Sequence, residues 1–151
     1  MEGSSPNDWG SLAIERFLAL SAAAVCLILT VHIWQVLGRQ QAVWPIPALY
    51  LIEMLVLTAT VAAATFRRVP ASGILTWIAL GAISAFCVLA GFSVGFLYVP
   101  VAVLLLLTGL LFIRRARGSP LIFLGSAIVA AMVQIGIVLT AIRILSPGSL
   151  S

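Results

Sequence analysis

The sequence predicts an all-α fold: a polytopic integral membrane helical bundle of five transmembrane helices, forming one domain over residues 1–151. Three observations carry that prediction. Hydrophobic residues make up 63% of the chain and charged residues 8%, with a mean hydropathy of +1.25. A water-soluble domain has about 25% charged residues, so this chain has too few to cover a water-facing surface. The apolar residues fall into runs long enough to cross about 30 Å of hydrocarbon, which takes about 20 helical residues at about 1.5 Å each. Short segments containing Arg, Gly, Pro and Ser separate those runs.

The first run predicts a helix over residues 12–37, long enough to tilt or to reach the headgroups, ending at Gly38-Arg39-Gln40-Gln41. Its length and the acidic start with Glu2 and Asp8 differ from a secretory signal, which needs a basic start and a shorter apolar stretch. A second helix is expected over 46–66, opened by Trp44-Pro45-Ile46-Pro47 and closed by Arg67-Arg68-Val69-Pro70. Proline suits an opening turn because its missing N–H has no partner there in any case. The third helix is expected over 72–90, with Ser72 as a plausible N-cap.

Residues 74–113 carry no charge and are too long for one crossing. The break is expected at Gly91-Phe92-Ser93-Val94-Gly95, which places a fourth helix over 95–113 with Pro100 early in it. Arg114-Arg115-Ala116-Arg117-Gly118 ends it, and Ser119-Pro120 opens a fifth helix over 120–145. The expected architecture is a long N-terminal helix followed by two helical hairpins. Small residues spaced by four let helix backbones approach closely, as do Ala59 and Ala63, Gly81 and Ala85, and Ala127 and Ala131.

All eight cations are arginine, giving a formal charge of +4 and a pI near 10.1. Most lie in the loops between apolar runs, which speaks for topology and against nucleic acid. Arg16, Arg67, Arg68, Arg114, Arg115 and Arg117 fall on one side, Arg39 and Arg143 on the other. The positive-inside rule then predicts a multi-pass cell-membrane protein with a cytoplasmic N-terminus and an external C-terminus. Trp9, Phe66 and Trp77 are expected at the inner interface, and Trp34, Trp44, Tyr50 and Tyr98 at the outer one.

Glu53 is the acid set well inside an apolar run, about two turns into the second helix. An ionised carboxylate there costs a few kcal/mol unless it is paired, protonated or wetted. Depth along the helices suggests a polar cluster of Glu53, His32, Gln35, Tyr50, Tyr98, Gln134 and Arg143. Glu53 is expected to pair with Arg39, Arg143 or His32 as a static lock, to exchange a proton or hold a cationic group with His32 as partner, or to face a partner protein in protonated form.

Gly91-Phe92-Ser93-Val94-Gly95 fits the G-x-S-x-G pattern, but that chemistry needs a strand-to-helix turn and an oriented histidine, and a tight turn explains the glycines better. Cys26 and Cys87 lack metal-ligand spacing and read as small buried hydrophobes. No metal, cofactor or enzymatic activity is expected. The expected partners are the lipid bilayer and other membrane protein subunits or copies of itself. The leading expectation is an accessory or structural subunit of a larger membrane complex; the alternative is a small transporter or proton-coupled carrier using Glu53.

Overall fold

The computed structural model describes residues 7–39, 46–90, 95–115 and 119–145. Its regular structure over those residues is all helical: α1 (Asn7–Arg39), α2 (Ile46–Phe66), α3 (Ser72–Leu89), α4 (Val99–Arg115) and α5 (Pro120–Leu145), with a 3₁₀ turn at Gly95–Tyr98 leading into α4. Five helices are long and apolar enough to cross a membrane. In hydrocarbon a helix is favoured because it satisfies each backbone amide and carbonyl within its own segment. Most threonines follow the same logic: Thr58, Thr60, Thr65, Thr76, Thr108 and Thr140 each donate to the carbonyl four residues earlier.

The boundaries follow the sequence expectation with three adjustments. α1 starts at Asn7 rather than at residue 12, and its 33 residues measure about 50 Å, so it must tilt or project beyond a bilayer. Ser72 is not the N-cap of α3. That position is held by Ala71, because the Val69 carbonyl already accepts the Ser72 N–H at 2.9 Å and draws Ser72 into the first turn. α4 is preceded by the 3₁₀ turn, whose Gly95 N–H reaches back to the Ala90 carbonyl at 2.8 Å. Residues 91–94 lie outside the described segments, as do Trp44 and Arg117.

α1, α2, α3 and α4 close a ring in which each packs on its two neighbours, with α1 and α3 on opposite corners. α5 packs chiefly on α3, outside that ring, rather than pairing with α4 as a hairpin. The cause is local. An added Cβ at Gly81 would lie within 2.9 Å of the Ala127 Cα and inside its carbonyl group, so the bare backbone of Gly81 is what admits α5. On the α4 side, Trp77 fills the seam against Gly109, where an added Cβ would come within 3.0 Å of the indole.

The ring is filled with side chains. Cys26, Met54, Val61, Ile83, Tyr98, Val101 and Leu105 are fully buried. Three residues expected at the interfaces turn inward instead: Trp77, Tyr50 and Tyr98 all belong to this core. Phe66 and Trp34 do face outward. Large aromatic rings supply packing contacts that small residues cannot, and in lipid packing is the main force drawing helices together.

Candidate functional site

The seven polar residues grouped by depth do not form one site. Gln134 of α5 donates its side-chain N–H to a Glu53 carboxylate oxygen of α2 at 3.0 Å, and this is the direct contact within the group. Gln134 is buried and Glu53 half-buried. Among the described residues none of Arg39, Arg143 and His32 pairs with Glu53, so its lock is an amide on α5 instead of a cation. The bond also ties α5 to α2, two helices that otherwise barely touch.

Tyr98 lies at the head of α4, where its hydroxyl shares a 3.0 Å hydrogen bond with Thr30 of α1. Its ring meets Phe86 edge-on at 5.6 Å, and Phe86 in turn meets Tyr50 at 5.9 Å. The Tyr50 hydroxyl is buried with no hydrogen-bond partner among the described residues. The two tyrosines therefore belong to an aromatic row crossing the ring, and among the described residues neither hydrogen-bonds Glu53 or Gln134.

His32, Gln35 and Arg143 face outward. On α1 the buried residues are Glu15, Ala19, Ala22, Cys26, Thr30 and Ile33, a stripe with helical spacing that faces the other helices. His32 and Gln35 fall off that stripe, and Arg39 is exposed as well. α1 thus carries, near its C-terminal end, outward hydrogen-bonding side chains with no partner among the described residues.

The opposite end holds a charged constellation that the depth argument missed. Glu15 of α1 is 2% exposed and pairs with the guanidinium of Arg115, the last residue of α4, at 3.5 Å. Arg16 sits 5.6 Å above the Phe66 ring, and its Nε is buried with no hydrogen-bond partner among the described residues. A signal for Glu15 was present: it is the other acid within the predicted spans, and it stands beside an arginine.

At the same end, the chain leaves α2 through a Schellman motif. The Val69 N–H bonds the Ala64 carbonyl at 3.1 Å and the Arg68 N–H bonds the Thr65 carbonyl at 3.4 Å. Arg68 takes the left-handed position, with φ of 53°. Glycine is usual there, and an L side chain costs roughly 1–2 kcal/mol.

Cys26 is buried and Cys87 half-buried, both as free thiols. Among the described residues no group of three or more His, Cys, Asp or Glu is placed to hold a metal ion. In comparisons with known proteins, the chain matches no family model, no curated protein and no solved structure.

Proposed function

We propose that this protein is an accessory or structural subunit of a larger membrane assembly. The carrying observation is that apolar side chains seal the interior of the helix ring while His32, Gln35 and Arg39 face away from it. Outward polar groups on a membrane helix gain most from a neighbouring helix that offers partners, because lipid tails offer none. The long apolar face of α5, including Ile128, Val129, Met132 and Val133, provides a second surface for helix packing. The arginine-rich end, with Arg16, Arg67, Arg68, Arg114 and Arg115, is assigned to the cytoplasmic side of the cell membrane by the positive-inside rule. That assignment supports a cytoplasmic N-terminus and an external C-terminus.

Extraction of the full chain in mild detergent, followed by size-exclusion chromatography and mass spectrometry, is expected to recover a stoichiometric second polypeptide. His32→Leu combined with Gln35→Leu removes both side chains' capacity to hydrogen-bond a neighbouring helix and is expected to lower that recovery by about tenfold. A clean monomer or small homo-oligomer of the native chain would overturn the reading.

One observation favours a second reading, a proton-coupled carrier. The Glu53 carboxylate lies half-buried at the seam between α2 and the peripheral α5, and Gln134 holds it. If that carboxylate exchanges a proton, purified protein in proteoliposomes should acidify or alkalise the lumen under a substrate gradient. Glu53→Gln should abolish that flux, and flux that survives the change rules out the mechanism.

A further inference from the structure

A cavity of about 390 Å³ opens at the arginine-rich end, between the ends of α1, α2 and α4 and the start of α3. Its polar wall contains Arg16, Arg68, Arg115 and Glu15. Three guanidiniums against one carboxylate leave a formal excess of two positive charges. Arg115 is 47% exposed beyond its contact with Glu15, so part of its guanidinium fork remains open to a second acceptor. Arg16 also lines the cavity, and its Nε makes no hydrogen bond among the described residues.

α3 adds a further donor set. Ser72 and Gly73, the first two residues of α3, line the same cavity, and Ala71 at the N-cap provides no side-chain hydrogen bond to the first turn. The Ser72 N–H already bonds the Val69 carbonyl, so the uncapped start offers its remaining first-turn amides and the positive end of the helix dipole, both suited to an anion. The rest of the lining includes the apolar side chains of Leu12, Ile74, Phe112 and Phe123, the last two packed beside Gly73. The strained Arg68 also fits: its left-handed backbone sets a guanidinium at the cavity rim where glycine would leave none.

We propose that this cavity binds one phosphoryl-bearing anion, held by Arg16, Arg68 and Arg115 against the start of α3. Charge-assisted hydrogen bonds from guanidinium forks match phosphate oxygens in geometry and sign. The phosphate belongs either to the headgroup of an anionic phospholipid, whose glycerol arm and chains would follow the apolar lining, or to a free phosphate. Glu15 holds Arg115 in position when the cavity is empty. The site is independent of whether the protein acts as a subunit or as a carrier.

The test uses the purified full chain in a non-ionic detergent, titrated separately with dioctanoyl phosphatidic acid, inorganic phosphate and dioctanoyl phosphatidylcholine. Binding is read by native mass spectrometry and by the shift in melting temperature. Phosphatidic acid is expected to bind at one per chain, and phosphatidylcholine not to bind. Arg16→Gln and Arg68→Gly are each expected to weaken binding by at least about tenfold. Arg67→Gln and Arg114→Gln, at the same end but outside the cavity wall, should leave it unchanged.

Arg68→Gly keeps the test sound if other variants fold poorly. Glycine relieves the left-handed backbone, so this variant should melt no lower than the native protein while losing the anion. Saturable binding of phosphatidic acid alone assigns the lipid headgroup, whereas saturable binding of inorganic phosphate with the same arginine dependence assigns the free anion. The proposal is overturned if neither binds at one per chain, if binding survives both cavity variants, or if the Arg67 and Arg114 variants weaken it equally.

Discussion

Gly81→Ala is expected to lower the stability of the detergent-solubilised protein by about 2–3 kcal/mol and to loosen α5 from the bundle. The sign of this result is diagnostic, because two effects oppose each other at this position. Alanine is the better helix former by about 1 kcal/mol, so propensity alone predicts a gain. Packing predicts a loss, since the new Cβ would lie inside the Ala127 carbonyl group and within 2.9 Å of its Cα. Backbone atoms cannot swing aside as the end of a flexible side chain can, so the two helices must separate. A separation loosens every contact along the α3–α5 seam, which is the largest interface α5 makes.

Gly125→Ala and Gly136→Ala on α5 are the controls. An added Cβ at either meets nothing within 4 Å, and the propensity gain of up to about 1 kcal/mol should appear unopposed. Thermal melts of all three variants in one detergent decide the matter. If Gly81→Ala melts at or above the native temperature, the close approach of α3 and α5 is wrong.

Tyr98→Ala is expected to cost roughly 2–4 kcal/mol, toward the lower part of what ring removal costs in a packed interior. Tyr98 is fully buried, meets Phe86 edge-on and bonds Thr30 across the ring. Its removal opens a cavity at the place where α1, α3 and α4 converge. In lipid the unfolded helices gain no hydrophobic transfer energy, so lost packing and the lost hydrogen bond make up most of the cost. Tyr98→Phe separates the two contributions. It keeps the ring and removes the hydroxyl, and should cost about 1 kcal/mol, with most of that vanishing in a Thr30→Val background. Equal melting temperatures for Tyr98→Ala and the native protein would show that the ring does not bind these helices together.

The candidate sites were legible to different degrees. Glu53 and Gln134 are conspicuous because polar side chains stand out in apolar runs, and the structure brings them together. His32 and Gln35 are just as conspicuous, yet they face outward, since depth along a helix does not define its rotation. In water, rotation can be read from an amphipathic pattern. On α1 polar and apolar residues are not segregated to separate faces, so a face toward lipid and a face toward neighbouring helices look alike in composition. Glu15 shows the reverse problem: it was visible inside the first span, but its significance depends on Arg115, a hundred residues later in the chain.

What the amino-acid sequence determined by itself is the number of helices, their type and nearly all their ends. Hydrocarbon permits no unpaired backbone, so every crossing must be a continuous apolar helix of a set length, and such lengths can be counted along the chain. The small residues Gly81 and Ala127 were visible in the same way as places where helices come close. Tertiary structure alone decided which helices meet and which faces they use: the ring of α1 to α4, the docking of α5 on α3, and the charged cavity at the arginine-rich end. Those choices depend on shape complementarity and on pairings between distant side chains, and in a solvent as apolar as the protein no simple pattern along the chain encodes them.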